Sequence, residues 1–239
     1  MPLYSVLVII LWTIISLVMV ISMAKVTNRR IEEESENKDN SESMSIPKPY
    51  TKSRTNYILL FLLTVISAVC AWFVSQSVTS VFFYIEVGLC YIATLGASVV
   101  DFKLKKIPNI IPTVLLATGV ILVIIQSFFI EDAVLFVISS LIGCLLSFFI
   151  LFIAGKVSKG GIGMGDVKLI SAIGFTVGVQ AVFTSMIISL LLCLLAMVGL
   201  KIREKYIDKL ENSKNKQNKM AFAPFLYFGF TIMIIGKLY

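Results

Sequence analysis

Apolar residues in this chain come in long, nearly unbroken runs. They do not alternate as in a half-buried strand, nor recur every three to four residues as on a surface helix. The runs cover residues 3–24, 57–75, 80–100, 107–129, 133–154 and 221–238, with two more at 167–177 and 181–200. Most approach the ~20 residues that a helix needs to cross a hydrocarbon core about 30 Å thick. The run at 167–177 is short for a crossing and has to tilt or borrow neighbours. The competing reading is one long kinked helix through Gly178-Val179-Gln180. The pattern predicts an all-α, polytopic membrane bundle forming a single domain over residues 1–239.

The polar segments between the runs set the direction of each crossing. Lys25, Arg29 and Arg30 follow the first run, Lys103, Lys105 and Lys106 follow the third, and Lys156 and Lys159 follow the fifth. Residues 201–219 are also strongly basic, whereas the turns at 76–79 and 131–132 hold no Lys or Arg. Basic loops stay in the cytoplasm. With Gly178 read as a turn, about eight spans result, both termini lie outside, and Lys and Arg fall almost wholly on one side. With the run read as continuous, the basic loop at 201–219 lands outside, against the charge rule. The first run carries its charges after its core, so it is expected to be a retained helix and not a cleaved signal. Residues 25–56, rich in Ser, Asn, Glu and Lys, are expected to form a flexible cytoplasmic loop.

Composition narrows the chemistry. The chain is 58% hydrophobic and 15% charged, with a formal net charge of +7. In a soluble protein that balance would suggest nucleic acid. Here the basic residues border membrane runs, so topology and anionic lipid account for them and no nucleic-acid partner is expected. The four cysteines, Cys70, Cys90, Cys144 and Cys193, all sit inside apolar runs without a CxxC pair. Buried, inert thiols are expected, not a zinc or disulfide framework. The chain has no histidine. Ser-His and Cys-His nucleophiles and an HExxH metal site are therefore excluded. Carboxylates or a Ser-Lys pair remain for hydrolysis.

Two carboxylates stand out. Asp166 follows Gly163-Met164-Gly165 at the mouth of an apolar run, and Asp101 closes the run ending at Val99-Val100. Carboxylates at membrane depth are rare and are functional candidates by default. In the even topology both lie at the cytoplasmic end of their spans, which is the condition for an aspartyl dyad. Two such groups within a few ångströms do not both ionise easily and share a proton. The ionised one then takes a proton from water, and the protonated one polarises a peptide carbonyl and later donates to the leaving amine. No metal or cofactor is needed. The plain alternative is that each aspartate caps a helix or balances a lysine, with Asp166 as an N-cap and Lys103, Lys105 and Lys168 nearby. Gly163 and Gly165 leave the backbone bare for close approach.

The stretch Gly163-Met164-Gly165-Asp166, followed by Val167-Lys168-Leu169, resembles the GxGD signature of the type IV prepilin peptidases, a family of intramembrane aspartyl proteases. Val100-Asp101-Phe102-Lys103, leading to Lys106-Ile107-Pro108-Asn109, resembles that family's first-aspartate segment. Phe222-Ala223-Pro224-Phe225 resembles its final-helix signature, where a proline sits near the site. The likeness spans roughly residues 57–239 and keeps the three motifs in order. It implies an endopeptidase in the plasma membrane that removes the short basic leader of prepilins and pseudopilins at the cytoplasmic face, usually after a glycine. Asp101 and Asp166 match the family's catalytic pair. Gly163 and Gly165 match the motif's flexible positions and Pro224 the proline of the final-helix signature, while Lys168, two residues into its span, is expected either to tune the pair or meet a substrate carboxylate, or to reach back to the cytoplasm. Many bacterial members carry paired CxxC motifs between the first two spans, associated with N-methylation. The segment 25–56 is short and contains no cysteine, so a short form without the metal-binding part of that region is implied, with N-methylation left open.

Three other functions compete. Proteases of the presenilin and signal-peptide-peptidase type place the first aspartate deep in a helix after a tyrosine, whereas Val100 precedes Asp101 at a helix end. A transporter would hold its carboxylates near the bilayer midplane. A Ser-Lys protease would use Ser158 with Lys156 or Lys159, in a loop with nothing to desolvate the lysine. Glu86 lies 15 residues before Asp101. At ~1.5 Å per residue it is about 22 Å away, and packing near the outer interface is its expected role.

Overall fold

The computed structural model describes residues 3–36, 54–77, 81–157, 162–207 and 221–237. These form seven α-helices: α1 Leu3–Glu36, α2 Arg54–Ser77, α3 Val81–Leu104, α4 Ile110–Ser127, α5 Ala133–Val157, α6 Met164–Ile207 and α7 Ala223–Ile235. Five of the helices are long and apolar enough to cross a membrane, and α7 and the 60–75 part of α2 are shorter apolar helices. Large apolar side chains such as Ile121, Leu145 and Leu195 remain exposed on the outer faces of α4, α5 and α6. In water such a surface would aggregate, whereas lipid covers it at no loss. The chain is a multi-pass membrane protein built as a helical bundle.

The expected break near Gly178 is present. Gly178 has φ 80° and ψ −178°, while the helix on either side is regular. That left-handed φ is readily adopted only by glycine. The chain doubles back there. Beyond the break, Ser185 and Ser189 approach Gly229 of α7, and Cys193 returns to within electrostatic reach of Asp166 at the start of α6. A merely bent helix would hold Cys193 and Asp166 about 40 Å apart, at ~1.5 Å rise per residue.

Close packing orders the bundle. α1 and α3 run parallel, with Trp12 edge-on to Tyr84 at 5.3 Å and Met19 and Met23 over Gly96. α3 and α4 run antiparallel, tied at their far end by Gln126 Nε2 donating to Glu86 Oε1 at 2.7 Å. α5 meets the first limb of α6 at Gly143 and Gly174, whose backbones touch so closely that a Cβ on either would overlap the other's carbonyl. Small residues at such crossings give membrane helices their dispersion contacts. α7 packs in the centre. Tyr91 Oη donates to Tyr227 Oη at 2.6 Å, which donates to the Leu63 carbonyl at 3.1 Å, joining α3, α7 and α2.

Several expected boundaries move. The loop expected from residue 25 begins later: α1 continues as helix to Glu36, and Thr27 and Ile31 in the extension are buried. Its Lys, Arg and Glu residues are good helix formers, so polarity there means an emerging helix and not a coil. The remainder of that loop, 37–53, lies outside the described residues. α3 does not end before Asp101 but includes it in its last turn. It stops at Lys105, which takes φ 50° and whose N–H caps the Asp101 carbonyl at 2.9 Å. A lysine in the left-handed region is costly and marks a firm stop. α4 starts at Ile110, three residues later than expected, because Pro108 pushes the preceding residue out of helical conformation. Residues 201–207 of the expected basic loop are helical, and 208–220 lie outside the described residues. The four cysteines are free, with Cys70 and Cys90 buried.

Candidate active site

Both aspartates stand at one end of the bundle. Asp101 projects from the last turn of α3 and is only 4% exposed. Its Oδ2 accepts the backbone N–H of Ala223 at 3.0 Å, and the Phe222 N–H is directed at the same carboxylate. These amides belong to the N-terminus of α7, whose cap residue Phe222 offers no side-chain bond of its own. First-turn N–H groups have no partner inside their helix. Asp101 supplies the acceptor from 122 residues away in sequence. Pro224, in the first turn of α7, has no N–H to satisfy and fixes the backbone in helical conformation. Its role is to open α7. Lys105 lies within electrostatic reach of Asp101.

Asp166 is the third residue of α6 and is 9% exposed. The cap position belongs to Gly163, so the expected N-cap role for Asp166 is replaced by a reach back to the Gly163 backbone. This is the reciprocal half of a capping box. A Cβ on Gly163 would lie 2.9 Å from Asp166 Oδ2, which accounts for a glycine there. Asp166 Oδ1 is buried without a hydrogen-bond partner. Asp101 is its charged neighbour, within electrostatic reach across the α3–α6 contact.

Gly165 makes that contact possible. A Cβ there would sit 2.9 Å from Ile107 Cβ and 3.3 Å from the Ile107 carbonyl oxygen. The bare backbone lets the start of α6 lie against the segment that follows Asp101. The two motifs thus meet through a glycine and an isoleucine. Lys168, one turn on, is exposed and donates to Asn109 Oδ1 at 3.2 Å, a second tie between α6 and the start of α4.

The sequence-predicted set therefore gathers: Asp101, Asp166, Gly163, Gly165, Lys168 and Pro224 all lie at this end. Glu86 is buried near the opposite end, held by Gln126. Of the Ser-Lys alternative, Ser158 and Lys159 fall outside the described residues, and Lys156 Nζ sits 4.7 Å over the Phe152 ring. A shallow apolar groove lined by Leu151, Phe152, Ile162, Met164 and Val167, with Lys156 at its rim, runs beside Asp166. Sequence reading missed the Phe222 and Ala223 amides, Ile107 and Asn109. One signal was available for the amides, since a proline after Phe222-Ala223 marks a helix start and so predicts unpaired N–H groups just before it.

No curated protein and no solved structure matches the chain. One family model does, and its matched stretch holds both aspartates and the glycine motif but ends before Phe222-Ala223-Pro224-Phe225. That model describes the type IV leader peptidase family, is matched over residues 88–198, and indicates a peptidase of the aspartic type.

Proposed function

We propose that this protein is a prepilin or pseudopilin leader peptidase. It hydrolyses the peptide bond after a short basic leader at the cytoplasmic face of the plasma membrane, with Asp101 and Asp166 as its catalytic pair. The observation that carries this reading is the meeting of two buried carboxylates at one end of the bundle, each anchored to a different helix start. We further propose eight crossings, counting the two limbs of α6, with both termini outside. The basic segments then share the side of the aspartates, where anionic lipid would attract a basic leader.

The reaction follows from the pair. With one proton between them, the carboxylate member takes a proton from water as the water oxygen bonds to the carbonyl carbon. The carboxylic acid member hydrogen-bonds the oxyanion that forms. It then passes its proton to the nitrogen as the carbon–nitrogen bond breaks and the carbonyl re-forms. One proton moving across the pair restores the start. Burial of both groups excludes bulk water, so the oxyanion meets a fixed donor and not a mobile solvent. Asp101 stands within a turn of the end of α3, which suits cutting at the interface better than cutting inside a transmembrane segment.

Detergent-solubilised protein, incubated with a synthetic peptide made of a basic leader, a glycine and an apolar helix, tests the proposal. Mass spectrometry should find one new amino terminus directly after the glycine, and EDTA should leave the rate unchanged. Cleavage inside the apolar helix, or none at all, would reject this function.

A further inference from the structure

The surroundings of the two aspartates are unlike. Asp101 Oδ2 receives the Ala223 N–H at 3.0 Å, the Phe222 N–H is directed at the same carboxylate, and the Lys105 ammonium lies near. All three are positive or positively polarised groups. The amides also form the positive end of the α7 dipole, which favours an anion in front of it. Backbone N–H groups can only donate, so the arrangement is satisfied by a carboxylate and conflicts with an acid O–H pointed at the same place. Asp166 has one backbone neighbour, Gly163, on one side. Its Oδ1 is buried with no partner, and its charged neighbour is Asp101 itself. A buried carboxylate oxygen with no donor and a negative charge beside it is poorly satisfied, whereas an acid O–H can point at that neighbour.

We infer that the pair is unequal: Asp101, docked on the N-terminus of α7, is the member that takes the proton from water, and Asp166 is the acid that protonates the leaving amine. This rests on the leader-peptidase reading and adds the direction of proton flow. Water gives one proton to Asp101 and its oxygen to the carbonyl carbon. Asp166 gives its proton to the departing nitrogen as the carbon–nitrogen bond breaks. A proton then returns from Asp101 to Asp166. The α7 start becomes a positioning element, since the Phe222 and Ala223 amides act on the reaction only through Asp101. It also assigns a purpose to Pro224: a proline at this place fixes the first turn so that the two preceding N–H groups face outward together.

Leaving-group chemistry separates the roles. Two full-length substrates are made, one with the natural scissile amide and one with a thioester in its place, each keeping leader and apolar helix. A thiolate departs without being protonated, so it bypasses the acid but still needs the base. Hydrolysis is followed for wild type, Asp101→Asn, Asp166→Asn and the double variant, which gives the background. Circular dichroism and size-exclusion profiles check that each variant is folded. On the amide, both single variants should fall by about 10²–10⁴-fold, the usual contribution of a positioned acid or base. On the thioester, Asp166→Asn should recover to within about tenfold of wild type, while Asp101→Asn stays near background. Recovery of Asp101→Asn instead, equal recovery of both, or recovery of neither overturns the assignment. Failure of wild type to cut the amide, or unimpaired amide cleavage by both single variants, would instead reject the leader-peptidase reading itself.

Discussion

Replacing Gly165 by alanine probes the contact that brings the two motifs together. The added Cβ would lie 2.9 Å from Ile107 Cβ, 3.3 Å from its carbonyl oxygen and 3.6 Å from its Cα. Carbon atoms pack best at about 3.5–4.0 Å, so a separation of roughly 0.6–1 Å has to be opened. Rotating a side chain cannot open it, because Cβ of Ile107 is fixed to the backbone. The start of α6 must move away from the segment after Asp101, and Asp166 moves with it. A misplacement of about 1 Å can lower a rate by about 10²-fold. The effect on stability is smaller. Overpacking costs about 1–3 kcal/mol, offset by about 1 kcal/mol because alanine is the better helix former. The expected result is a fall of about 10- to 100-fold in kcat for leader cleavage, with a thermal midpoint only a few degrees lower. Adding Ile107→Gly removes the opposing Cβ and should recover part of the lost rate. A Gly165→Ala enzyme with wild-type kcat would refute this account of the glycine.

Other substitutions have separate readouts. Lys168→Met and Asn109→Ala should each lower stability by about 0.5–1 kcal/mol, and the double variant by no more than either, because both remove the same exposed hydrogen bond. Gly174→Ala should be among the most damaging changes away from the site, since its Cβ would meet the Gly143 carbonyl and carbon backbone-to-backbone; loss of folded protein in detergent is the expected outcome, and normal yield and melting would contradict it. Glu86→Gln should leave cleavage within about twofold of wild type, as the residue sits about 22 Å from Asp101 along α3. Glu86→Ala should in addition destabilise by about 1–3 kcal/mol by leaving Gln126 buried and unpaired, measured by thermal denaturation.

Much of this molecule was legible before any fold was known, for a definite reason. In a bilayer, hydropathy reports depth, and basic residues report side. Depth and side together bring Asp101 and Asp166 to one end of their helices, and Gly178 could be identified as the break because the charge rule requires a reversal there. Depth does not say which groups at the same level are neighbours. The Ala223 amide on Asp101, Asn109 on Lys168 and Ile107 on Gly165 depend on how helices are arranged around the bundle, and no periodicity encodes that. The extension of α1 past Lys25 is not marked by hydropathy, because Glu, Lys and Arg sustain a helix once lipid no longer holds it.

The central claim is that Asp101 and Asp166 act as one unit, and rates of the two single asparagine variants and their double variant on one leader peptide test it most directly. Groups that share a single step are strongly non-additive. Each single variant should lose nearly all cleavage, and the double should be no slower than the worse of the two. A single variant that cuts at the wild-type rate, or losses that simply multiply in the double, would contradict it.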